Sequence, residues 1–119
     1  MTDNELADYL RENGHPEHVW RAGRTGLLAR WAGFVDDVGR GYKLGLEDYR
    51  NDLDLRAIIE LAGLGAEAAA DDERLRRLLT ATDRRVWESS HENPFWDYGY
   101  PKNASGELLE DLKAEGLAD

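Results

Sequence analysis

The chain of 119 residues contains no cysteine, which excludes disulfides, thiolate metal sites and thiol nucleophiles and favours a reducing compartment, the cytoplasm. Basic residues are also scarce: 15 Lys and Arg face 25 Asp and Glu, for a net charge of −10. Such a balance opposes the counterion release on which phosphate-backbone binding depends, so nucleic acid is not an expected partner. No apolar run approaches the roughly 18 residues of a membrane span. The acidic start Met1-Thr2-Asp3-Asn4-Glu5 lacks the basic and apolar regions of a secretory signal. No stretch alternates apolar and polar residues for long enough to predict a strand, and no repeat of fixed period occurs. Enzyme motifs are equally thin. Ser89-Ser90-His91 sets hydroxyls beside an imidazole in sequence, but neighbours do not face one another in triad geometry, and no nucleophile elbow is present. Gly63-Leu64-Gly65 reads as a helix stop and not as a phosphate-cradling loop.

What the chain does have is helical periodicity, and it predicts an all-α fold, a compact bundle of five or six helices forming one domain over residues 1–119. Thr2 and Glu5 have capping-box spacing, Leu6, Tyr9 and Leu10 share a face, and Gly14 suits a helix end. Pro16 fits the first position of a second short helix that carries Val19 and Trp20. Between residues 24 and 42, Leu27, Leu28, Trp31, Phe34, Val35, Val38 and Tyr42 recur at steps of three and four, the mark of a helix packed on a core. From 46 to 64 the apolar residues occupy two faces. Leu46, Tyr49, Leu53, Ala57, Leu61 and Leu64 form one, and Leu55, Ile58, Ile59 and Ala62 the other, which predicts a sandwiched helix. Asp71 or Asp72 is expected to cap a further helix running through Leu75, Leu78, Leu79, Thr82 and Val86, and Pro94 to end it near 89 to 91. Ser105 caps a last helix with Leu108, Leu109 and Leu112, stopped by Gly116. Segments 24–45 and 73–91 are net basic and the others acidic, so the basic helices are expected to pack beside acidic neighbours.

Two clusters are candidate binding residues. In Glu47-Asp48-Tyr49-Arg50-Asn51-Asp52-Leu53-Asp54, helical spacing puts Glu47, Asn51 and Asp54 on one stripe and Asp48, Asp52 and Arg56 on another, with Asp52 and Arg56 placed for an i,i+4 ion pair. Carboxylates so spaced suit the basic side chains of a partner or, alternatively, a divalent cation or small ligand held by Asp48, Asp52 and Asp54 with a histidine. The calcium-loop pattern is absent. His15 with His18, and Glu88 with His91, have ligand spacing but are interrupted by Pro16 or precede Pro94, so no metal and no cofactor is expected. The second cluster is the aromatic loop Phe95, Trp96, Tyr98 and Tyr100, whose rings would plug an end of the bundle or serve a protein interface, Trp96 and Tyr100 being the most exposed.

The run Arg30-Trp31-Ala32-Gly33-Phe34-Val35, then Gly41-Tyr42, then Leu46 to Arg56 with its Asn51-Asp52-Leu53-Asp54 centre, resembles a pattern in small uncharacterised bacterial helical proteins. It covers about 30 residues and implies a bacterial source and no particular activity. The sequence as a whole predicts a non-enzymatic acidic module that binds a protein partner, of inhibitor, immunity or antitoxin type, or that self-associates. Its expected partner-binding residues are Glu47, Asp48, Asn51, Asp52, Asp54, Trp96, Tyr98 and Tyr100.

Overall fold

Six helices make up the computed structural model, which describes residues 2–80 and 99–118: α1 (Asp3–Glu12), α2 (Glu17–Arg21), α3 (Gly23–Arg40), α4 (Leu46–Leu61), α5 (Ala69–Leu78) and α6 (Gly106–Ala114). The fold is all-α, and no described helix is long and apolar enough to cross a membrane. Local signals set the start of α1 and the glycine-marked ends of α1, α3, α4 and α6, whereas Ser105 stands at the start of α6 without a side-chain capping bond. The backbone N–H of Glu5 donates to the Thr2 hydroxyl at 3.2 Å, so the first helix begins where its capping residues stand. Gly41, at φ +103°, ends α3 in a conformation that side chains with a Cβ rarely adopt.

The centre of the bundle is α3, which packs against α1, α2, α4 and α5. Its apolar stripe Leu27, Trp31, Phe34, Val35 and Val38 is wholly buried. Helix α4 lies between α3 and α6, so it is sandwiched as its two apolar faces suggest. Its buried stripe nevertheless differs from the expected one. Leu46, Tyr49, Leu53, Arg56 and Ile59 face inward, while Leu61 is exposed. Arg56 occupies an interior position that an apolar count passes over, because its guanidinium is neutralised there by Asp72 at 3.0 Å.

Asp72 therefore does not cap α5, and neither does Asp71. Helix α5 starts at Ala69 without a side-chain cap, and Asp72, one turn in, points into the core, where it also accepts from the Trp31 indole. Asp52 and Arg56 do not form the pair that i,i+4 spacing suggested: Arg56 turns to Asp72, and Asp52 accepts instead from the Tyr42 hydroxyl. Helix α5 also ends at Leu78, short of the expected 89 to 91. Leu79 is extended and forms an isolated antiparallel bridge with Pro101. Thr80 N–H donates to Tyr100 C=O and Gly99 N–H to Thr80 C=O, both at 2.9 Å. The β-branched Thr80 suits this extended backbone, and the pairing satisfies groups that a continued helix would have used internally. Thr82, Val86 and the Ser89-Ser90-His91 run lie outside the described residues. The net-basic helix α3 packs on the acidic α1 and α4 as expected, whereas α5, with three acids against three arginines, is neutral and packs on α3, joined by Arg74 and Asp36 at 2.7 Å.

Helix α4 is started by a residue 65 positions away: the Leu46 N–H donates to the Asp111 carboxylate of α6 at 3.0 Å. The chain can approach so closely because residue 45 is glycine; a Cβ there would stand 2.7 Å from the Asp111 Oδ2. Replacing a capping acid by alanine costs about 0.5–2 kcal/mol. Asp111→Ala is accordingly expected to lower urea stability by about 1 kcal/mol, with Asp111→Asn losing less; equal losses in both would show that the carboxylate is no cap.

Candidate functional site

The first two turns of α4 carry the candidate carboxylates because the Asp111 cap and an aromatic wedge hold them in place. Tyr42, in the loop before the helix, packs edge-on against Phe34 of α3 (centroids 5.8 Å apart) and Tyr49 of α4 (5.6 Å). Such tilted and edge-on pairs contribute beyond simple burial. The wedge directs the Tyr42 hydroxyl outward to Asp52, to which it donates a short hydrogen bond. Burial first, and this bond next, push the Tyr42 hydroxyl well above the usual phenol range, so it stays a donor at any physiological pH.

Asn51, Asp52 and Asp54 come together on one cavity of about 310 Å³ between α3 and α4. Phe34, Leu55 and Ile58 supply apolar wall, and Arg30 of α3 and His15 complete the lining. Asn51, Asp54, Leu55 and Ile58 are spaced at three and four residues, so a single face of α4 is polar at its start and apolar further on. Glu47 and Asp48 are exposed on the same helix start, outside this cavity. Asp52 also borders a second hollow, of about 270 Å³, with Asp37, Tyr42 and Lys43.

A larger cavity lies elsewhere. It is a groove of about 600 Å³ between α3 and α5, floored by Val35 and Leu78 and edged by Arg40, Arg74 and Arg77. Asp36 and Arg74 bridge one another across it, which holds the Asp36 carboxyl below its ordinary value. None of the described candidate residues lines this groove. Trp96 and Tyr98 lie outside the described residues. Tyr100 is half-buried against the core rather than exposed, its backbone paired with Thr80.

Arg30 was missed as a member of the site. A signal for it existed, since Arg30 and Phe34 are one turn apart and share a face of α3. The histidine that the alternative reading set beside the carboxylates is His15, which reaches the cavity only through the placement of the turn between α1 and α2. Among the described residues no group of three or more His, Asp or Glu side chains is placed to hold a metal ion. Comparison of the chain with family models, curated proteins and solved structures finds no match.

Asp52 is held against its own solvation. Burial pushes its carboxyl above the ordinary aspartate value, the Tyr42 hydrogen bond and the nearby Arg30 pull it back, and Asp48 and Asp37 add to the rise. The folded chain thus binds this proton more tightly than the unfolded one. The stability that follows is present below the unfolded aspartate value and is lost as pH rises through the folded value. Asp52→Asn keeps an acceptor for Tyr42 and removes the charge. It is expected to raise stability at neutral pH by a few tenths to about 1 kcal/mol, and to leave it unchanged at a pH of about 3, where both chain states are protonated. Urea unfolding at the two pH values checks this, and a loss of stability at neutral pH would refute it.

Proposed function

We propose that this chain is a non-enzymatic, cytoplasmic helical module that binds a basic protein partner through the start of α4, in the manner of an inhibitor, immunity or antitoxin protein. One observation supports the reading above the others. Glu47, Asp48, Asp52 and Asp54 fall within one short stretch of α4 and make no ion pair with any described residue, whereas several acids elsewhere do: Asp8 with Arg11, Glu17 with Arg21, Asp36 with Arg74 and Glu115 with Arg50. A run of unneutralised carboxylates on two turns of a helix steers a basic surface toward it and contributes to the rate and selectivity of capture. The charge of −10 acts in the same direction at longer range.

Charge reversal of the two exposed acids is the test. The double variant Glu47→Lys, Asp48→Lys is expected to keep its helical circular dichroism and to lose about tenfold or more in affinity for a basic protein retained by the immobilised wild-type chain at low salt. Retention should also fall as salt is raised. Capture that responds neither to the substitutions nor to salt sinks the proposal.

A further inference from the structure

We propose that the cavity between α3 and α4 binds a free basic α-amino acid, arginine- or lysine-like, with its α-carboxylate on Arg30 and its cationic groups on Asp52 and Asp54. The inference concerns the cavity-lining face of α4, which shares Asp52 and Asp54 with the proposed partner surface, and does not depend on a protein partner at Glu47 and Asp48.

Size is the first argument. At about 310 Å³ the cavity is at the small end of ligand pockets, which span roughly 300–1,000 Å³, and it suits one amino acid rather than a peptide. Charge is the second. The lining offers two carboxylates, the Asn51 amide and one guanidinium. Arg30 and Asp54 form no ion pair with a described residue, and Asp52 accepts a hydrogen bond from the neutral Tyr42 hydroxyl and feels the Arg30 charge without a direct bridge to it. A ligand that mirrors two anions and one cation carries two cations and one anion, which is the charge pattern of a diamino or guanidino acid. A divalent metal would leave Arg30 opposed by like charge, and a simple apolar amino acid would leave one carboxylate unanswered. Shape is the third. Phe34, Leu55 and Ile58 form an apolar wall beside the charged rim, and the methylene stem of a basic side chain covers such a surface while its charged end stays at the polar side. A planar guanidinium further donates paired hydrogen bonds to carboxylates, and Arg30 offers the same fork to the ligand's α-carboxylate.

Calorimetric titration of the full chain with four compounds tests this. L-arginine or L-lysine is expected to bind saturably with one site per chain. Agmatine, which lacks the carboxylate, and L-norleucine, which lacks the side-chain cation, should each bind about tenfold more weakly or worse, because each forfeits a charge-assisted contact. Asp54→Asn should weaken arginine about tenfold. Arg30→Gln should weaken arginine but not agmatine, so that the two become equal; a merely structural role for Arg30 would weaken both. The Glu47→Lys, Asp48→Lys double variant should retain arginine binding, which separates failure of this proposal from failure of partner capture. No heat with arginine or lysine at millimolar concentration overturns the inference. Agmatine bound as tightly as arginine by the wild type overturns it too, since the carboxylate is then not read and the cavity takes only a cationic side chain, as from a polypeptide.

Discussion

Asp72→Ala is expected to destabilise the protein by about 3–5 kcal/mol, the usual cost of removing one partner from a buried ion pair. Arg56 and Asp72 are only 5% and 4% exposed. The Arg56 Nε donates to both Asp72 oxygens, at 3.0 and 3.1 Å, and the Trp31 indole N–H donates to Oδ1 at 2.9 Å. One carboxylate thus satisfies groups from α3 and α4 while itself belonging to α5. Burial disfavours the Arg56 charge, but its hydrogen bonds to Asp72 and Glu60 more than offset that, and the guanidinium is held charged. Without Asp72 it keeps only Glu60, whose side chain is largely exposed. Native stabilities are only about 5–15 kcal/mol, so the variant should be marginal. Replacing both partners, Arg56→Met with Asp72→Leu, should cost far less than Asp72→Ala, because no uncompensated charge remains. Urea unfolding of the single and double variants measures this. A loss below about 1 kcal/mol for Asp72→Ala would mean that water or rearrangement solvates Arg56 freely.

Trp31→Ala is expected to cost a similar amount, about 3–5 kcal/mol, through the cavity left at the bundle centre. Trp31 has no exposed surface, stacks at a tilt on Phe34 with centroids 5.3 Å apart, and sits on the helix that four others pack against. Trp31→Phe separates its two roles. It retains much of the ring and removes the indole donor, so about 1 kcal/mol should be lost for the hydrogen bond, with a further part for the smaller ring. Because Trp31 and Asp72 touch, their losses should not add, and the double variant should lie closer to the worse single variant than to the sum. Strict additivity in a thermal or urea cycle would dissolve the network into independent contacts.

The position of Trp31 was legible in advance and the identity of its partner was not. Periodicity over 24 to 42 placed it on the inward face, since the helical repeat alone determines which residues share a side. Arg56 was misplaced for the same reason in reverse. Pattern reading scores arginine as polar, so the step Leu53, Arg56, Ile59 looked interrupted, and the buried stripe was drawn through Ala57 and Leu61 instead. Only the arrival of Asp72 from another helix makes an arginine admissible there. Leu78 and Leu79 show a different failure. Adjacent leucines suit a helix seam or the start of an extended segment, and the hydrogen bonds of residues 99 to 102 selected the second.

The candidate site divides along the same line. Asn51, Asp52 and Asp54 were seen together because spacing within one helix brings them together, whatever the rest of the chain does. Arg30, His15 and Tyr42 join them from other elements, and no local rule links residues so far apart in sequence. By itself, then, the sequence determined the all-helical class, the start of α1, the glycine stops after α1, α3, α4 and α6, the inward face of α3 and the acidic start of α4, because these follow from interactions within a few residues. The tertiary structure alone decided that Asp72 serves Arg56 and Trp31, that Asp111 caps α4, and that the Arg30 side chain joins the two carboxylates in lining one cavity. Each is a pairing of distant residues, and its energy exists only once the helices have packed.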